Sequence, residues 1–128
     1  MRLLLDTHTV LWWLLHDPAL SERARDYISE PENTAFVSAA SAWEIATKVR
    51  IGKLHAAANL AFDLSTYLER ERFGLLAISV EHAIRAGLLG GPHRDPFDRM
   101  LVAQSQAESM PVVSNDRVFD AYGVHRIW

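Results

Sequence analysis

The sequence predicts an α/β fold, a three-layer α/β/α sandwich around a central, mainly parallel sheet. Three observations carry that expectation. Short aliphatic runs such as "RLLL", "TAFVS" and "PVVS" have the length and unbroken apolarity of strands buried on both faces. Stretches with helical spacing separate them, and such alternation builds a parallel sheet covered on both sides. The 128 residues suit one domain with a single core, here taken as residues 1–128.

The elements follow in order. "RLLLD" reads as a strand ending in a carboxylate, Asp6, and "TVLWWLLH" has helix-length apolar content. "DPALSERARDYISE" carries helix-start signals at Asp17-Pro18 and Ser21, and "TAFVS" is the second strand. In "AASAWEIATKVRIGK", Ala42, Ile45, Ala46 and Val49 recur at helical spacing, and Gly52 closes the element. "NLAFDLSTYLERERFG" reads as one helix closed by its glycine, and "LLAIS" as a strand. "VEHAIRAGLLG" is helical, "GPHR" a loop, and "DPFDRMLVAQSQAES" a helix with a strong start. "MPVVSND" is a strand ending in a carboxylate, "RVFDAYG" a short helix, and "VHRIW" a final edge strand.

Composition narrows the function classes. Without cysteine the chain has no disulfide, thiolate chemistry or Cys-ligated zinc. A formal charge of −3 gives no general attraction to nucleic acid, so any RNA contact needs a local basic patch or bound cations. Asp6 and His8 interrupt the N-terminal apolar region, which therefore does not read as a signal peptide. No uncharged stretch approaches the ~20 residues of a membrane span. The expectation is a cytoplasmic chain with no membrane partner.

Four acids matter more together than singly. Asp6 and Asp116 end two strands, and open parallel sheets bind ligands beyond the carboxyl ends of their strands. Glu44 and Asp98 fall in helices that start at that same edge if the crossovers are right-handed. A cluster of this kind repels itself unless cations neutralise it. Mg²⁺ or Mn²⁺ suits ligation by oxygens, and would activate a water and stabilise charge on a phosphodiester. Each acid also has a purely structural reading. Asp6 and Asp116 are placed to cap helices, and Glu44 to pair with Lys48 four residues on. Asp95 is an N-cap before Pro96, and Asp98 is placed to close a capping box.

Four blocks, "LLLDTHTVLWW", "SAASAWEIATKVRIGKL", "HRDPFDRMLVAQSQ" and "PVVSNDRVFDAYGV", closely resemble PIN-domain ribonucleases, specifically VapC-type toxins of bacterial type II toxin–antitoxin systems. The resemblance runs from end to end. It implies a PIN fold and Mg²⁺- or Mn²⁺-dependent endonucleolytic cleavage of RNA, transfer or ribosomal, that inhibits translation. It implies catalytic and metal-binding roles for Asp6, Glu44, Asp98 and Asp116. Asp95 then assists from beside the site, and Thr7 and Ser114 stand where the family often has a hydroxyl next to an acid. "SND" replaces the Thr-Arg-Asp of many members, so Asn115 removes a basic contact there. A homodimer and a cognate antitoxin, through which alone operator DNA is bound, are also implied.

The remaining candidates are less specific. Lys48, Arg50, Lys53, Arg94 and Arg99 read either as ordinary solvated charge or as cations for an RNA backbone, with Arg99 the first to test. Trp12, Trp13, Phe62, Tyr67 and Leu68 suit either core packing or an apolar groove for an antitoxin helix. The six histidines lack zinc-ligand spacing and read as surface or turn residues, with His93 closest to the acids. Two rivals remain: phosphotransfer on Asp6, although the Asp-x-Asp pattern is missing, and a non-catalytic protein-binding module that retains the acidic pocket.

Overall fold

A computed structural model describes residues 1–55 and 58–128. The strands are β1 (Arg2–Leu5), β2 (Thr34–Ser38), β3 (Gly74–Leu76), β4 (Val112–Val113) and β5 (Arg126–Ile127). They form one sheet in the order β3-β2-β1-β4-β5, and every pairing is parallel. The chain steps outward from β1 to β3, then returns to lay β4 along the other edge of β1. Such a reversal opens a crevice beyond the strand ends, here between β1 and β4.

Seven α-helices cover the sheet among the described residues: α1 (Thr7–Leu14), α2 (Glu22–Ser29), α3 (Ala39–Arg50), α4 (Ala58–Phe62), α5 (Leu64–Arg70), α6 (Val80–Leu88) and α7 (Pro96–Glu108). A 3-10 helix, Arg117–Tyr122, links β4 to β5. The alternation of β1 divides the core. Leu3 and Leu5 pack with Val10, Ile28, Ile45 and Leu68 on one face, while Leu4 packs with Leu101, Met110 and Phe119 on the other. Each side chain of this size contributes about 1.5–3 kcal/mol when fully buried. No helix among the described residues is long and apolar enough to cross a membrane.

The helix starts have local causes. Ser21 accepts from Ala24 N at 3.0 Å, and Ser38 from Ala40 N at 3.0 Å. Ser79 and His82 form a reciprocal capping box. That bond, with a 2.9 Å contact from His82 Nε2 to Glu108 Oε1, explains why His82 is buried rather than on the surface as expected.

Two other expectations need correction. The segment expected as one helix after position 58 is two, α4 and α5, because Asp63 leaves helical geometry (φ −116°, ψ 23°). Leu60, Leu64 and Leu68 are buried on both sides of the break. Nor does Gly74 close α5. Arg72, at φ 58°, does so, with Phe73 N donating to Leu68 O and Arg72 N to Glu69 O. Gly74 instead opens β3, because a Cβ there would lie 2.5 Å from the Phe36 ring.

Candidate active site

Asp6 follows β1 directly and is buried. Its extended backbone turns the carboxylate over the first turn of α1, where Oδ1 accepts from His8 N at 2.7 Å and Thr9 N at 3.3 Å. The Ser114 hydroxyl donates to Oδ2. That hydroxyl also accepts from Asp116 N at 2.9 Å, so one serine joins the ends of β1 and β4. Thr9 Oγ1 adds a bond to Val113 O at 2.8 Å. Desolvation still dominates, and holds the Asp6 pKa above its ordinary value against the Ser114 bond, the nearby His8 and the two backbone N–H groups. With both oxygens engaged and the group buried, Asp6 is poorly placed as a phosphate acceptor.

Glu44 lies in α3 and is also buried, with Oε2 2.6 Å from Lys48 Nζ. Thr7 Oγ1 donates to Ser41 Oγ at 3.0 Å, fixing the start of α1 against α3 one turn before Glu44. Asp95 caps α7, accepting from Phe97 N at 2.8 Å and Asp98 N at 3.2 Å. Asp98, in the first turn of α7, turns to His93 rather than closing the expected capping box, with Oδ2 2.8 Å from His93 Nε2. Its pKa is pushed up to about 6. Desolvation is the main cause, opposed by the His93 bond and reinforced by the charges of Asp95, Asp6 and Glu44. Asp98 therefore senses three other carboxylates brought together from β1, α3 and the loop before α7.

Asp116 follows β4, where Ser114 links its backbone N–H to Asp6. It is exposed, and its Oδ1 caps the 3-10 helix through Val118 N at 3.0 Å. It reaches the cluster through its own backbone N–H and Ser114. The three-donor cluster formed among the described residues is instead His93, Asp95 and Asp98, with ligand atoms within 4.8 Å of one another. Sequence reasoning noted only that His93 was near the acids. The signal was its place two residues before the N-cap, from which the ring folds back over the first turn. Oxygen donors that repel one another, with one imidazole beside them, fit a hard divalent cation.

Arg99 is not free for an RNA backbone as expected. Its guanidinium donates to His93 O and Ala86 O, each at 3.1 Å, and to Leu89 O. It thereby braces the loop that carries His93. Gly91 helps shape the same loop, since its φ is +87° and a Cβ would lie 2.9 Å from Tyr122 Oη. Of the residues suited either to core packing or to a groove, Trp12, Trp13 and Tyr67 pack against the core. Phe62, 86% exposed, and buried Leu68 line an apolar groove of about 520 Å³ with Ala46 and Leu75.

Comparison with known proteins matches the fold and the sequence pattern. The PIN-domain family model matches residues 3–124. No curated protein matches the chain. Among solved structures, VapBC2 from Rickettsia felis, bound to a DNA fragment from its promoter, is similar at 17% identity and TM-score 0.73, covering 98% of this chain and 97% of that one. FitAcB from Neisseria gonorrhoeae is similar at 19% identity and TM-score 0.67, covering 98% and 96%. Mycobacterium tuberculosis VapC20, a toxin that cleaves the sarcin–ricin loop, is similar at 18% identity and TM-score 0.65, covering 95% of each chain. A parallel sheet with this strand order, an acidic crevice at its switch point and a family match over nearly the whole length agree: the chain belongs to the PIN-domain family.

Proposed function

We propose that this protein is a metal-dependent endoribonuclease, the VapC-type toxin of a type II toxin–antitoxin pair, acting on transfer or ribosomal RNA. The observation that carries the reading is the electrostatics of Asp98. Its carboxyl is raised to about 6 by burial and by Asp95, Asp6 and Glu44, a self-repelling group placed at the sheet's switch point. PIN domains are typically nucleases. The similarity to VapBC and FitAB assemblies, some bound to DNA, supports an antitoxin partner and operator binding through it. We take the toxin to be a cytoplasmic homodimer.

In this reading Asp6, Glu44, Asp98 and Asp116 hold Mg²⁺ or Mn²⁺, with Asp95 beside them. When bound, the metal supplies activation of water and stabilisation of charge on the phosphodiester. The protein's part is to hold the donors still. Ser114 and two backbone N–H groups fix Asp6, His93 fixes Asp98, and Lys48 neutralises part of the charge on Glu44. Arg94 is exposed at the same end and can receive an RNA phosphate near an otherwise acidic pocket.

One observation favours a second reading. Asp6, Glu44, Asp95 and Asp116 all have a capping or ion-pair partner, as a non-catalytic binding module would require. RNA cleavage by the purified chain separates the two. Activity is expected with Mg²⁺ or Mn²⁺ and not with EDTA, falling at least a hundredfold in Asp6→Asn and Asp98→Asn, on the scale of lost transition-state charge stabilisation. Metal-independent cleavage, or full activity in both variants, would reject the metal-dependent mechanism, and no cleavage under any condition would favour the binding module.

A further inference from the structure

Beside the acids stands an aromatic pair that the cluster itself does not use. Trp43 precedes Glu44 in α3, and Phe97 precedes Asp98 in α7, so the helices that carry two acids also carry two neighbouring rings. The rings meet edge to face, with centroids 5.0 Å apart and planes at 80°. Phe97 thus steadies the indole while Trp43 stays 62% exposed. Large apolar side chains are usually far more buried than that.

The pair lines a cavity of about 290 Å³ together with Ile78, Met100 and Arg94. Arg94 is exposed and, among the described residues, forms no ion pair. A steadied, exposed ring face beside an uncommitted cation calls for a flat aromatic group attached to an anion. A nucleotide whose base is unstacked has both features. Unpaired RNA is recognised by stacking such bases on aromatic side chains, with Arg or Lys on the backbone. An aliphatic anchor from a protein would use the apolar wall and leave Arg94 without a purpose.

We infer that Trp43, steadied by Phe97 and flanked by Arg94, is a stacking platform for an unpaired base next to the phosphate that is cut. This rests on the ribonuclease reading and assigns to Trp43 the holding of one unstacked base. Arg94, Pro96 and Phe97, which flank Asp95 and Asp98 at the start of α7, line the same cavity, so a base seated there holds its neighbouring phosphate near the acids.

The test is equilibrium binding of a short unstructured RNA carrying one fluorescent purine analogue, with Ca²⁺ in place of Mg²⁺ to keep the strand intact. Trp43→Ala should weaken binding about tenfold and abolish the quenching of the analogue, the scale of one lost base–aromatic stack. Trp43→Phe should restore most of both. Arg94→Ala should lower the salt dependence of binding by about one ion. The wild-type affinity and quenching retained in Trp43→Ala would overturn the platform while leaving the ribonuclease reading intact. So would a Trp43→Ala chain that binds RNA normally and loses its complex with an antitoxin, since that assigns the ring to a protein anchor. No RNA binding by the wild type would instead remove the ribonuclease reading itself.

Discussion

Asp98 is where the tension in this molecule can be read from one side chain. Its carboxyl is raised to about 6, because burial and three neighbouring carboxylates disfavour its charge and the bond from His93 only partly offsets them. Asp98→Asn removes that repulsion and keeps an oxygen for His93. The relief is on the order of 1 kcal/mol, after allowing for solvent screening at a part-exposed group. The metal-free variant should therefore melt about 3–5 °C higher than wild type at pH 7.5. A thermal melt in EDTA measures this, and a lower midpoint would mean that burial and the neighbouring carboxylates do not disfavour the Asp98 charge. On the proposed function, this gain in stability is the usual trade for an acid at an active site.

At the scale of elements, the loop between α6 and α7 has its geometry set from outside itself. The guanidinium of Arg99 gathers three carbonyls, from His93, Ala86 and Leu89, and so ties the end of α6 to the start of α7. Arg99→Ala leaves those carbonyls unpaired and should cost about 1.5–3 kcal/mol, the range for hydrogen bonds to a charged group. Denaturant unfolding would show it as a lower midpoint, with metal affinity weakened as His93 loosens. β3 is hydrogen-bonded to β2 and also depends on close side-chain contact. At Gly74 a methyl group would meet the Phe36 ring at 2.5 Å, so Gly74→Ala should destabilise by about 1–3 kcal/mol through overpacking. An unchanged denaturation midpoint would show that Phe36 can move aside freely.

The whole molecule inherits a pH dependence from its acidic crevice. A carboxyl whose folded-state pKa is raised favours folding when protonated. That contribution is present below its ordinary value near 4 and lost as pH rises through the folded value, about 6 for Asp98. Asp6, also raised by burial, acts in the same direction. Asp120 acts oppositely, because its bond to Arg126 lowers its pKa and its contribution is lost in acid below about 4. The metal-free protein should therefore be most stable toward the acidic end of the usual ~pH 5–8 window. Mn²⁺ relieves the same repulsion but competes with the proton on Asp98. The rise in melting temperature on adding excess Mn²⁺ should be clearly larger at pH 7.5 than at pH 5. Equal rises at the two values would place the ion away from Asp98.

The sequence by itself determined the layers, the direction of the strands and most of the helix starts. Those depend on local periodicity and on caps such as Ser21 and Asp95, which act within a few residues. It also marked the acids worth watching, since carboxylates directly after aliphatic strands must lie beyond the sheet's carboxyl edge. The tertiary structure decided how those groups are used. That His93 turns back onto Asp98, and that Arg99 braces a loop instead of facing solvent, both depend on orientations set by packing in space. So does the break at Asp63 and the bare position at Gly74. Spacing along a chain fixes which edge a side chain reaches, whereas only the competition among partners in space fixes where its charge points.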